Sequence, residues 1–333
     1  MTVNKTPMSC SQGQTPGITK DGYVIDETRN RELLSKDPNL VKYVHPYLGG
    51  TEMLHKIDID RFVIDIPHGD MSDAFTDGSY AFEHLKRYVL PEREKKAREE
   101  IEKNERNLAE NPKFKPERAN QLFLPRWWQL WRRRTELLAA LSKHDRYIAT
   151  SRHTTINRAI VFEFVDSSVH PGDSMTVIPF SDDYSFGVVS SKVHTEWIKA
   201  RCSTFKGDPR YTSTTVWESF PWPQAPTQEQ VGRIVDIVEK LLEHRASFLA
   251  RGKTLGDQYD VLRTPGKTRL GDLHTQLDSA VMDAYGFSDE DDLRTQILAL
   301  NLDLAARQDL VRHPGPGTFQ GVRRTDYRLT YPV

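Results

Sequence analysis

Three stretches of this 333-residue chain hold side chains suited to gripping a nucleic acid. The first is Ser151-Arg152-His153-Thr154-Thr155-Ile156-Asn157-Arg158. Arginine matches the O6/N7 edge of guanine and asparagine the N6/N7 edge of adenine, so Arg152, His153, Thr154, Asn157 and Arg158 are candidates for base edges. The second comprises Lys192, after Ser190 and Ser191, and the loop from Arg201 to Thr212. Here Lys192, Lys206, Arg210 and Thr212 offer cations and a hydroxyl for the DNA backbone, and Gly207 allows close approach. The third is Arg126-Trp127-Trp128-Gln129-Leu130-Trp131-Arg132-Arg133-Arg134. Trp127 and Trp131 at i,i+4, with Leu130, Leu137 and Leu138, read as a helical core stripe. Three consecutive arginines cannot all turn inward, so Arg132 and Arg133 join the backbone candidates.

Signals for catalysis are weaker. Asn111-Pro112-Lys113-Phe114 is close to the Asn-Pro-Pro-(Tyr/Phe) tetrapeptide with which DNA amino methyltransferases hold a flipped adenine. Lys113 replaces the second proline, a charged helix precedes the motif instead of a buried strand, and no glycine-rich loop follows an upstream strand. His68, Asp70 and His84 lack any metal-site spacing and read as a polar loop after a strand. No GxSxG elbow is present. No catalytic residue, metal site or cofactor site is therefore assigned to this chain.

The elements that must position these loops follow from periodicity and turn chemistry. Residues 146–150, 159–166, 174–180 and 185–191 are rich in β-branched and aromatic side chains and are separated by turns such as His170-Pro171-Gly172-Asp173, so they read as strands of a small antiparallel sheet. Arg61 to Ile66 reads as a buried strand stopped by Pro67. From Ser79 to Arg118 the pattern is helical. Within it, residues 92–107 alternate Glu with Lys/Arg at spacings of three and four, as an exposed arm with few core contacts would. A helix is expected from His194 to Arg201. Phe220-Pro221-Trp222-Pro223 marks a boundary, since its prolines continue neither helix nor central strand. Thr227 with Gln230 is a capping box, followed by three helices, the second ending before Gly286. The expected organisation is a leading extended segment and charged arm (1–125), a β-rich recognition core (126–223), a helical domain (227–310) and a flexible tail (311–333). The fold class is α+β, a mainly antiparallel β region with flanking helices and a small C-terminal helical bundle.

Composition narrows the function classes. Forty-six Lys/Arg against 47 Asp/Glu and 37% hydrophobic residues are too charged for a membrane protein and too apolar for a disordered one. No apolar run approaches the ~20 residues needed to span a bilayer, and the polar start lacks the hydrophobic stretch of a secretion signal, so a cytoplasmic location without a membrane partner is expected. Cys10 and Cys202 are expected as free thiols. Residues 126–212 carry 13 Lys/Arg against 9 Asp/Glu, a net charge of +4 that permits contact with phosphates.

The order of these pieces resembles a known family. Ser9-Cys10-Ser11-Gln12-Gly13, Gly22-Tyr23-Val24-Ile25, Pro46-Tyr47-Leu48-Gly49-Gly50, Arg61 to Ile66, Pro91-Glu92-Arg93, Arg126-Trp127-Trp128, Tyr147 to Arg152, the stretch 186–223 and the helical tail are similar, over about residues 9 to 310, to the C-terminal half of MmeI-like DNA adenine methyltransferases. The resemblance implies a target recognition domain followed by a helical domain that helps close the protein around DNA. It further implies double-stranded DNA and a methyltransferase catalytic domain or subunit as partners. S-adenosylmethionine is expected on that catalytic part, upstream of the region this chain matches. The expected function is the specificity part of a site-specific N6-adenine DNA methyltransferase from a restriction-modification or phage-defence system. The alternative is a protein-interaction scaffold that docks a methyltransferase subunit without reading sequence itself.

Overall fold

The structure is a computed structural model that describes residues 2–3, 10–17, 20–153, 159–205, 208–307, 322 and 325–329. The chain forms two compact units, one of Gln14–Leu48 and Ile59–Thr135, the other of Met1–Gly13, Gly49–Asp58 and Glu136–Pro332.

In the first unit the expected strand is present as Arg61–Ile64, antiparallel to Val24–Asp26 on one side and Val44–Leu48 on the other. Phe62, Val63, Ile64, Leu85, Trp127 and Trp128 share its core. The tryptophan segment is not a helical stripe. After a short turn at Leu124–Arg126 the chain runs irregularly, and Arg134 adopts φ 60°. Tertiary bonds replace helical ones: the Tyr23 hydroxyl reaches the Gln129 carbonyl at 2.7 Å, Trp128 Nε1 donates to the His68 carbonyl, and Thr15 and Arg132 exchange backbone bonds of 3.0 Å. The i,i+4 spacing therefore reports burial here, not helical phase.

The charged helix spans Leu90–Glu110 and buries Arg93, Ala97, Glu100 and Asn104, a stripe at spacings of four and three. Most of that stripe is polar because it receives backbone groups of residues 117–121, the start of helix Ala119–Phe123 included, instead of an apolar core. Glu100 accepts the backbone N–H of Asn120 and Gln121, and Asn104 bonds Glu117 in both directions.

The second unit holds a four-stranded antiparallel sheet in the order Ser11–Gln12, Met175–Ile178, Arg146–Ser151, Phe162–Asp166. The fourth expected strand, 185–191, is instead the helix Asp183–Ser190, N-capped by Asp182 and buried at every position. A helix buried all round gives the same unbroken apolar run as a buried strand, so periodicity cannot separate them. It packs on the helix Gln228–Leu249, where a Cβ on Gly187 would lie 2.5 Å from Ile234. Helix Lys192–Arg201 follows as expected. The Thr227–Gln230 capping box is formed, helix Arg269–Tyr285 ends at Gly286 in the left-handed region (φ 70°), and Leu293–Ala306 is the third helix.

The tail was expected to be flexible, yet residues 325–329 are clipped to the sheet. Leu329 pairs in parallel with Val165, and Arg328 bonds Asp145 and Asp166. The physical reason is a buried charge cluster that needs these residues. Arg146 and Asp183, both 0% exposed in their side chains, pair at 2.8 Å. Thr325 donates to both Asp183 oxygens and receives from Arg146, which also reaches the Tyr327 carbonyl.

Candidate nucleic-acid interface

The central strand Arg146–Ser151 does not end at the sheet. The Arg152 N–H donates to the Ser174 carbonyl at 2.8 Å, while the Arg152 carbonyl accepts the Tyr211 N–H at 3.0 Å. One residue further, His153 pairs antiparallel with Arg210. Arg210 closes the hairpin of Ser203–Phe205 and Asp208–Arg210, whose strands are also antiparallel. The structure therefore brings together Arg152, His153, Arg210 and Thr212, which the sequence offered in two distant loops. His153 is exposed and the other three are half-buried.

Two features fix this edge. The Thr212 and Ser203 hydroxyls lie 3.1 Å apart across the hairpin. Between Arg210 and Thr212, the Tyr211 side chain turns inward to His194, which is 0% exposed. His194 Nδ1 lies 2.9 Å from the Val189 carbonyl and Nε2 lies 3.1 Å from the Tyr211 hydroxyl. A carbonyl only accepts, so Nδ1 carries the proton and the tyrosine donates to Nε2. Burial pushes the His194 pKa down to about 4, which keeps the ring neutral at pH 7. Neither Tyr211 nor His194 was singled out from sequence. In sequence Tyr211 lies in a polar loop and His194 opens a helix, and only the fold shows that they pair beneath an exposed edge.

Thr154, Asn157, Arg158 and Lys206 lie outside the described residues. Lys192 is exposed at the start of its helix, and its backbone N–H donates to Asp278 Oδ1 at 2.6 Å, on helix Arg269–Tyr285. Burial pushes Asp278 up to about 6, against the opposing influence of Lys192. Arg132 and Arg133 belong to the first unit. Arg133 Nε is 2.7 Å from Asp65 Oδ1, and Gln14 Nε2 donates to the other oxygen of that buried carboxylate at 2.9 Å. Arg133 thus neutralises a buried charge of its own unit.

The remaining chemical motifs have structural roles. Asn111 caps the C-terminus of the charged helix, and Asp70 caps helix Met71–Asp77. Among the described residues no three His, Cys, Asp or Glu side chains are grouped to hold a metal ion, and no helix is long and apolar enough to cross a membrane. Gly49, which caps helix Gly50–His55, and Gly50, its first residue, do not fit a cofactor cradle. A Cβ on Gly49 would meet Glu52 at 2.3 Å, and one on Gly50 would meet Ser151 at 2.6 Å, so the protein's own side chains fill that space.

Three of the sheet's four strands, the hairpin and their shared edge fall within residues 132–224, which match the family described as "MmeI, target recognition domain". That match agrees with the resemblance carried by the ordered motifs. The chain is also 28% identical over 109 residues to DNA methyltransferase A of Bacillus subtilis (strain 168), a match covering 33% of this chain and 12% of that protein. Among solved structures, the type IIL restriction-modification enzyme MmeI in complex with DNA shares the fold, with a TM-score of 0.68 and 20% identity over 92% of this chain. The chain spans 36% of that enzyme.

Proposed function

We propose that the chain is the target-recognition part of a site-specific N6-adenine DNA methyltransferase, of the kind found in restriction-modification or phage-defence systems, acting in the cytoplasm. It binds duplex DNA and presents it to a methyltransferase catalytic domain or subunit. The single observation that carries this reading is the coincidence of two others. The segment matching the recognition-domain family is the one in which residues 152–153 pair with residues 210–211, so that Arg152, His153, Arg210 and Thr212 share one edge. In the proposed mode Arg152 and His153 approach base edges, while Arg210 and Thr212 hold the sugar-phosphate backbone. Methyl transfer and S-adenosylmethionine belong to the catalytic part. The residues of this chain orient the duplex, and no step of the transfer is assigned to them.

Selection from a randomised duplex pool at near-physiological salt tests the reading. An enriched short motif containing an adenine is the expected result. Arg152→Ala should then cost about 1–3 kcal/mol at one base position, whereas Arg210→Ala should weaken all sequences alike and flatten the salt dependence by about one unit. Retention of no sequence over another, with both variants indistinguishable from the parent, would refute it.

A further inference from the structure

Gly50 closes the string Pro46-Tyr47-Leu48-Gly49-Gly50, which has no part in the proposed DNA contacts. It opens helix Gly50–His55, which belongs to the same unit as the sheet and the hairpin. Two hydrogen bonds tie this residue to the end of strand Arg146–Ser151 through Ser174. The Gly50 N–H donates to Ser174 Oγ at 2.9 Å, and the Ser174 carbonyl accepts the Arg152 N–H at 2.8 Å. Within the strand end itself, Ser151 Oγ donates to the His153 carbonyl at 2.8 Å. A Cβ on Gly50 would lie 2.6 Å from that hydroxyl and 2.8 Å from the Ser174 carbonyl oxygen. These two atoms are the ones that brace the backbone at His153 and Arg152.

The helix has little room to retreat. Met53 is 1% exposed, and Leu54 packs on the main core of the unit. The helix end lies against Gly256 of helix Leu255–Asp260, where an added Cβ would stand 2.5 Å from His55 Nδ1 and 3.0 Å from the Leu54 carbonyl. A side chain at residue 50 would therefore be accommodated by displacing Ser151 and Ser174, as an overfilled interior shifts the backbone around it. Moving the Ser174 carbonyl moves the acceptor that holds Arg152. A bidentate base contact needs both of its hydrogen bonds in geometry at once, so a displacement of about 0.5 Å is enough to lose it.

We propose that Gly50 is a positioning residue for base reading: its lack of a side chain lets helix Gly50–His55 seat against Ser151 and Ser174, which sets where Arg152 and His153 stand. Gly50 touches no base itself. The inference rests on the proposed recognition mode, in which Arg152 and His153 approach base edges.

Gly50→Ala in the full chain tests it by two readouts. In duplex selection the variant should relax the same base pair that Arg152→Ala relaxes, by about tenfold, with an unchanged salt slope because no phosphate contact is lost. Amide hydrogen exchange at Arg152 should be about tenfold faster than in the parent, since its acceptor has moved. Gly69→Ala, with nothing within 4 Å of the added Cβ, is the control and should match the parent in both. Where Gly50→Ala does not fold, Ser174→Ala takes its place: it keeps the carbonyl, frees the Gly50 N–H, and should relax the same base pair to a smaller extent. Unchanged exchange at Arg152, or an equal loss of affinity for all sequences, would overturn the proposal. A parent that enriches no motif overturns the recognition reading and this proposal with it, whereas a parent whose motif survives the substitution overturns this proposal alone.

Discussion

Replacing Tyr211 by phenylalanine removes one oxygen atom and tests how the recognition edge is held. That hydroxyl donates to His194 Nε2 at 3.1 Å, and the ring's other nitrogen is committed to the Val189 carbonyl. Tyr211 is 4% exposed and His194 0%, so no water replaces the lost donor. The cost is that of a buried unsatisfied acceptor, about 1–3 kcal/mol. Urea denaturation at pH 7, followed by tryptophan fluorescence, should show a lower midpoint with an unchanged slope, because the surface exposed on unfolding is the same. The loss should reach DNA as well, since Arg210 and Thr212 flank Tyr211 and its N–H bonds the Arg152 carbonyl. A variant that binds duplex more weakly than the parent, yet less weakly than Arg210→Ala, is expected. An unchanged midpoint would refute the claim that the tyrosine–histidine pair anchors this edge.

Asp183→Asn should destabilise the second unit by about 3–5 kcal/mol, because it leaves Arg146 buried without its counter-charge and sets an amide N–H where Thr325 donates; thermal unfolding reads the loss. Arg133→Ala should cost stability by a few kcal/mol by uncovering the buried Asp65 carboxylate; a uniform fall in DNA affinity at unchanged stability would instead make Arg133 a phosphate contact. The His194 ring, followed by NMR, should titrate near pH 4. Its folded pKa lies below the unfolded value of about 6.5, so the unfolded chain binds more protons in between. Its contribution is therefore fully present above pH 6.5 and is lost as pH falls towards 4, by about 3 kcal/mol in all; a ring that titrates near 6.5 would refute its burial.

Much of the second unit was legible because its strands obey local rules. Runs around Ile148, Phe164 and Val177 are β-branched or aromatic and bounded by turn residues, and each became a strand. Thr227 with Gln230, and Gly286, declared helix ends through their own backbone chemistry. The failures share one cause. Phe186, Val188 and Val189 are apolar because the helix that carries them is enclosed, and Trp127 and Trp131 are spaced by four in a segment pinned by Tyr23 and Thr15. In both places tertiary surroundings set the pattern that local periodicity was asked to explain.

The proposed recognition edge was legible in residue type but not in assembly. Arg152 and Arg210 each belong to a polar loop of a kind common in soluble proteins. They gain meaning only because residues 152 and 153 leave the sheet and pair with residues 210 and 211, a register set by long-range backbone bonds. Arg133 depends on a distant residue in the same way, since its guanidinium pairs with the buried carboxylate of Asp65. Whether a surface arginine can read DNA is decided by what already holds its guanidinium. That partner, unlike the arginine itself, is written far away in the chain.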